Sequence, residues 1–319
     1  MKRRLRTIIL TLILIAVIIY LLPLIYCSSV LNTIHEYPED EFLETAIDKN
    51  AIIIVAHDDD WYGCVGTIKN LCDNGWEVSA YCFYREPLTY KDSIRYSRRK
   101  EGLLKSKYLI GLEEFIGIDY NFRFNPVEKP YSSIPYSEFE HVFKYDSIAS
   151  FITKIIHQNK PSIIFTLDDS IGLYGNAEHV LISQIVLDIC AKNNLEHEFA
   201  VDRIYQSVLP PDMAEGIMVK YSNIHPFLNF KRLYWHLTNM SSDTENIYTE
   251  AKNVYGCNGM PHPDIEINIR EMSKYKKGFI NCFPTERKNF KRFIPFFNWY
   301  PCKIYYRIFD KEFYRVIEI

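Results

Sequence analysis

The stretch from Ala51 to Thr67, AIIIVAHDDDWYGCVGT, constrains the fold of this chain more than any other. Its first six residues, Ala51 to Ala56, are apolar and rich in β-branched side chains, the pattern of a strand buried on both faces. Four ionisable residues, His57, Asp58, Asp59 and Asp60, follow without a gap, and Gly63, Gly66 and a helical pattern come next. Such a sequence places an imidazole and a cluster of carboxylates at the carboxyl end of a strand, where open α/β sheets bind ligands. Three adjacent aspartates repel one another, and a bound cation relieves that repulsion most simply. A solvated acidic turn with a histidine at the strand end explains the same letters, and this motif alone leaves both readings open.

The order of elements sets the fold class. Val65 to Asn74 has helical spacing and ends at Asn74-Gly75, a C-terminal stop signal. Glu77 to Tyr84 reads as a second strand, Asp92 to Leu109 as an amphipathic helix, and Phe115 to Ile118 as a weaker strand before a Pro-, Tyr- and Ser-rich loop over 119–140. A helix over Asp146 to Gln158 and a strand over Ser162 to Leu167 follow. Strands alternating with helices at this spacing imply βαβ units. The expected fold is α/β, a Rossmann-like three-layer sandwich with a mostly parallel sheet. No G-x-G-x-x-G follows the first strand, so dinucleotide binding is not supported.

The N-terminus predicts one transmembrane helix ahead of that domain. Lys2, Arg3, Arg4 and Arg6 are basic, and Thr7 to Tyr26 then runs without a charge, enough to cross a bilayer. A cleaved signal peptide has a shorter apolar run and small residues at its cut site. Bulky Tyr26 argues against lipoprotein processing at Cys27, and the reading is an uncleaved anchor. The basic end then stays cytoplasmic and the rest lies outside, by the positive-inside rule. The expected organisation is 1–27 basic end and anchor, 28–50 linker with a short helix begun by Pro38-Glu39-Asp40, and 51–319 the α/β domain. Beyond the anchor the chain holds 33 basic against 40 acidic residues, which gives no sign of a nucleic-acid partner. The eight cysteines show no C-x-x-C pairing, so neither a zinc finger nor a redox motif is indicated. Most read as core residues, with one or two disulfides open to an extracytoplasmic domain.

A second strand end carries a second cluster. After Leu167 come Asp168, Asp169, Gly172, Gly175, Asn176, Glu178 and His179, and then a helix from about Val180 to Asn193. Parallel strands put their carboxyl ends on one edge, so His179 can meet the His57–Asp60 cluster despite its distance in sequence. Two histidines and a carboxylate on one face leave a position open for water, as in catalytic zinc sites. Alone, His179 reads as a helix-start histidine bonded to a backbone carbonyl.

These residues resemble the LmbE/PIG-L family of metal-dependent N-acetylglucosaminyl deacetylases. The family pattern is a strand ending in A-H-P-D-D-E, then G-x-G-G-T, R-x-x-E on the second helix, and a later H-P-D-H. This chain has Ala56-His57-Asp58-Asp59-Asp60-Trp61, Gly63-Cys64-Val65-Gly66-Thr67, Arg98-Arg99-Lys100-Glu101 and Asn176-Ala177-Glu178-His179. The resemblance implies that His57, Asp60 and His179 hold Zn2+ or another divalent cation. It implies Asp59 as general base, a catalytic position at Asn176 and a substrate-binding role for Arg98. Asp58 stands in place of the family's proline, and an alternative register makes Asp58 the base and Asp59 the ligand; keeping His-x-x-Asp favours Asp59 and Asp60. Trp61 replaces a glutamate. Asn176 replaces a histidine thought to stabilise the oxyanion; an asparagine N–H can donate there but cannot shuttle a proton.

The expected activity is a membrane-anchored hydrolase removing an N-acetyl group from a GlcNAc-containing glycan or glycolipid. One rival is a glycan-binding or scaffold homologue without activity; another is a glycosyltransferase using Asp58 to Asp60 as a D-x-D metal motif. Residues 271–319 carry eleven Lys/Arg, five Asp/Glu and fourteen aromatics. They read either as a closing hairpin or edge strand packing its aromatics on the sheet, or as a basic aromatic surface against an anionic membrane or glycan.

Overall fold

A computed structural model describes residues 2–31, 36–84, 89–125, 132–196, 201–222 and 246–319. Seven strands form one sheet in the order β3-β2-β1-β4-β5-β7-β6. They are β1 Asn50–Ile54, β2 Glu77–Tyr84, β3 Glu114–Asp119, β4 Ile163–Leu167, β5 Arg203–Val208, β6 Ile265–Asn268 and β7 Lys311–Glu318. The first five run parallel, while β7 pairs antiparallel with both β5 and β6. The expected α/β sandwich with a mostly parallel sheet is therefore the fold. β1 and β4 are buried along almost their whole length, as their unbroken Ile-rich runs require.

The principal helices are α1 Lys2–Tyr26, α2 Val65–Asp73, α3 Tyr90–Ile110, α4 Tyr145–Asn159, α5 Ala177–Glu196, α6 Ile247–Tyr255 and α7 Ser273–Cys282. Their ends follow local chemistry. The Thr89 hydroxyl accepts from the Asp92 N–H to open α3, and Gly111, left-handed at φ 91°, closes it. α7 packs on α2 and α3, and α4 packs on α5. The apolar helix α1 satisfies the length and composition of a membrane span, as a signal sequence also would, and its residues from Leu5 to Leu22 are mostly exposed.

Residues 36–49 lie along the sheet. Asp40 caps a short helix, Glu41–Thr45, and its carboxylate also accepts from Arg203 at 3.3 Å and Tyr205 at 2.5 Å. The C-terminal aromatics pack inward as the hairpin reading expects, with Phe290, Phe296, Phe297, Tyr300, Tyr305 and Tyr306 buried. The last strand is not at the edge, however. β7 is an interior strand, and the short β6 takes the edge beside it. All eight cysteines are free thiols.

The topology decides where ligands go. The strand order reverses between β1 and β4, which pair directly in register Ala51↔Ile163 to Ile53↔Phe165. Helices leaving β1 and β4 diverge from this point, so a crevice opens beyond the carboxyl ends of these two strands. Both acidic clusters emerge there.

Candidate metal centre and active-site cavity

His57, Asp60 and His179 offer ligand atoms that all lie within 4.8 Å of one another, the arrangement needed to hold a metal ion. His57 Nδ1 is 3.0 Å from Asp60 Oδ2, His179 Nε2 is 3.1 Å from Asp60 Oδ1, and the two imidazole nitrogens are 3.3 Å apart. Asp60 therefore spans both rings. Its carboxylate also accepts the His57 backbone N–H at 2.6 Å, which closes the turn on itself.

Each imidazole is aimed by an oxygen on its far side. His57 Nε2 donates to Glu178 at 3.0 Å, and Glu178 in turn accepts from Arg123 at 3.0 Å. His179 Nδ1 donates to the Gly172 carbonyl at 3.0 Å, which leaves its Nε2 lone pair facing Asp60 and His57. The Gly172 carbonyl is itself fixed. Buried Asp168 accepts the backbone N–H groups of Ile171, Gly172 and Leu173 at 2.7–3.1 Å, and Leu173 sits at φ 70°, a strained value for a branched residue. Outer-shell support of this kind is what metal-ligating histidines carry, so the donor set fits a divalent cation.

Electrostatics follow the same geometry. Burial by itself lowers the His57 pKa, but the Asp60 and Glu178 carboxylates reverse this and hold it well above the ordinary imidazole value. Asp60 is drawn down by His179 and His57 in spite of burial. Asp59 behaves oppositely. Burial, together with Asp58 and Asp60, pushes it up to about 8 against the opposing pull of Arg99. Two neighbouring carboxylates thus have separated proton affinities, a mark of functional sites.

The remaining residues of the first motif are not equivalent. Asp58 is fully buried, accepts from Arg99 Nε at 2.8 Å and from Tyr84 Oη at 2.7 Å, and does not line the cavity. With both carboxylate oxygens engaged, it fits neither the alternative register nor a D-x-D motif. Asp59 lines the cavity and accepts from Arg99 at 2.7 Å. Trp61 turns into the core against Phe115 and Phe279. Asn176 lines the cavity and caps α5, its Oδ1 accepting the Glu178 N–H at 2.9 Å, while its amide nitrogen makes a 3.5 Å contact to Tyr174 Oη. Arg98 is exposed and absent from the cavity wall; Arg95 and Arg99, four residues apart on one helix face, line it instead. His262 is exposed and off the wall.

Four further residues matter to the site. Glu178 and Arg123 aim His57. Arg99 bridges Asp58 and Asp59, and buried Glu286 accepts from Arg95 at 2.7 Å beside it. Arg99 and Glu178 lie inside the quoted motifs, so their positions carried a signal. Arg123 and Glu286 are lone charges in unpatterned sequence. The cavity is about 770 Å³. Its wall combines polar side chains, among them His57, Asp59, Asp60, Arg95 and Arg99, with apolar ones, among them Met213, Ile217, Met218, Ile247, Phe293 and Ile294. That volume suits a ligand of sugar size or larger.

The α/β fold thus brings to its switch point a His-Asp-His group able to hold a metal ion, with the Asp59 carboxylate beside it. Residues 52–190 match the family model described as PIG-L, GlcNAc-PI de-N-acetylase, which bears out the resemblance over the stretch holding all four motifs. No curated protein sequence matches the chain significantly. Among solved structures, the N,N'-diacetylchitobiose deacetylase of Pyrococcus horikoshii aligns at 16% identity and TM-score 0.48, covering 87% of this chain and 89% of that one. The 4-carboxy-2-hydroxymuconate hydratase GalB of Pseudomonas putida aligns at 11% identity and TM-score 0.50, covering 85% and 97%. A teicoplanin-biosynthesis deacetylase in complex with teicoplanin aligns at 11% identity and TM-score 0.48, covering 85% and 99%. At 11% identity the likeness to GalB speaks for the fold alone, which there carries a hydratase.

Proposed function

We propose that the protein is a membrane-anchored, metal-dependent N-deacetylase acting on a GlcNAc-containing glycan or glycolipid. The observation that carries this reading is the convergence of His57, Asp60 and His179 from two strand ends, with Asp59 beside them. In this reading His57, Asp60 and His179 hold a divalent cation, zinc being the expected one. Such an ion supplies a Lewis acid that lowers the pKa of water and polarises an acyl carbonyl.

Asp59 is the proposed base. It faces the cavity, it is held by a single Arg99 N–H, and its raised proton affinity suits taking a proton from water and returning one to a leaving amine. Asn176 is the proposed oxyanion donor, with its amide oriented by the cap it provides to α5. Arg95 replaces Arg98 as the candidate for holding sugar hydroxyls, because it reaches the cavity. The apolar side chains of the wall give room for a non-sugar part of the substrate. The long apolar helix supports an anchor, with the basic end in the cytoplasm and the catalytic domain on the other side.

The test is acetate release from GlcNAc-bearing substrates by purified full-length protein, with metal content measured alongside. His57→Ala and His179→Ala should lose both metal and activity. Stoichiometric metal without any acetate release would favour the binding-protein reading, which the asparagine at 176 motivates. No metal in the wild-type protein would remove the hydrolase reading.

A further inference from the structure

We propose that residues 287–307 form a second membrane contact, inserting Trp299 and Ile304 at the bilayer interface and presenting cations to anionic headgroups. This rests on α1 being a membrane span. The stretch carries Arg287, Lys288, Lys291, Arg292, Lys303 and Arg307 and has no Asp or Glu. Its aromatics mostly face inward, yet Trp299 is 49% exposed and Ile304 39% exposed, while Arg287, Lys288, Lys291, Lys303 and Arg307 are exposed beside them. None of these five cations forms an ion pair among the described residues. A surface that is basic, unpaired and tipped with a large aromatic is out of place against water. It suits a headgroup layer, where indole rings settle and each nearby cation adds about 1 kcal/mol of attraction to an anionic leaflet.

The position of the stretch relative to α1 identifies the occupant. Tyr300 Oη donates to the Tyr20 carbonyl at 2.6 Å, and the two rings meet edge to face at 5.0 Å. Tyr26 packs against Phe296, which in turn holds the Trp299 ring at 5.2 Å. The domain therefore grips the helix not only at its exit but also six residues earlier, about 9 Å down its axis. If Thr7 to Tyr26 fills the hydrocarbon core of a bilayer, about 30 Å, then Tyr20, with Tyr300 and the neighbouring Trp299, lies roughly 9 Å inside its outer edge, among the upper acyl chains beneath the headgroups. The stretch meets the membrane because the span brings it there. The same stretch supplies Phe290, Phe293, Ile294 and Pro295 to the cavity wall.

The experiment uses the full chain reconstituted in phosphatidylcholine vesicles, with and without phosphatidylglycerol. Flotation after an alkaline wash reports on the span. Quenching of tryptophan emission by lipids brominated near the top of the acyl chain reports on the contact. Wild-type emission should be quenched, more so with phosphatidylglycerol, and Trp299→Phe should lose that quenching. Lys288→Gln, Lys291→Gln and Lys303→Gln together should lose the increment due to phosphatidylglycerol. Trp299 is half exposed, so its replacement leaves the fold intact. Protein that floats while Trp299→Phe quenches as the wild type does overturns the contact and leaves the span standing. Protein that does not float overturns both.

Discussion

The two halves of the sheet divide the work unequally. The parallel half, β1 to β4, delivers the titratable cluster from short local motifs at two strand ends. The half completed by β5, β7 and β6, with the segments around it, contributes no residue to that cluster, yet it builds most of the apolar cavity wall and grips the apolar helix. Reactive groups here come from two short motifs, 57–60 and 176–179, whereas enclosure comes from single residues scattered along the chain. The comparison suggests that the first half sets the chemistry and the second sets which molecule reaches it.

Four substitutions probe that division, from the largest effect downward. Asp59→Asn should reduce kcat by roughly 10²–10⁴ with metal content unchanged, since it removes the proton acceptor and keeps the shape. Loss of metal along with activity would make Asp59 part of the metal site instead. Asn176→Asp separates two roles, because aspartate caps a helix as well as asparagine does but has no N–H to donate. Its melting temperature should stay close to wild type while kcat falls by roughly 10²–10³. An unchanged kcat would confine Asn176 to capping.

The third crosses between the halves. Glu286 belongs to the C-terminal half but pairs with Arg95 and Arg99 of the first. Glu286→Ala should destabilise by about 2 kcal/mol in chemical denaturation, the worth of its charged hydrogen bonds, because Arg95 is half exposed and Arg99 keeps Asp58 and Asp59. Its pH signature has a definite sign. Arg99 and Arg95 overcome burial and hold the Glu286 carboxyl below its ordinary value of 4.5. The stabilisation is therefore present above about pH 4.5 and is lost as pH falls through the depressed folded value. Glu286→Gln should flatten that acid limb, and an identical limb in both proteins would assign it to other carboxylates. The smallest effect is expected at Asp40→Ala, about 1–2 kcal/mol, since Arg203 keeps its pair with Glu318 and only the buried Tyr205 hydroxyl is left without its acceptor.

The same division explains what was legible in the sequence. β2 coincides with Glu77 to Tyr84, and α2 to α5 fall within a few residues of the segments read from hydrophobic period, because period and caps are local properties. The His57, Asp60 and His179 meeting was legible because parallel strands must end on one edge. Arg99 was hidden by its neighbour. Arg98 alone has the R-x-x-E spacing to Glu101, whereas the helix face, fixed by packing on α7, brings Arg99 and Arg95 to the cavity and turns Arg98 away. Arg123 and Glu286 left no periodic trace. The interior place of β7 is likewise a pairing choice between distant segments, which no local pattern encodes.

The far-side hydrogen bonds on the two histidines have one further consequence. Glu178 with Arg123 on one ring, and the Gly172 carbonyl held by Asp168 on the other, aim both imidazoles within the folded chain itself. The loss of rotamer freedom that a loose site incurs on capturing its guest has here already occurred during folding. Capture should consequently proceed with little rearrangement of the protein, and release should be slow. Loosening Asp168, which touches no ligand atom, should speed release before it alters the donor set.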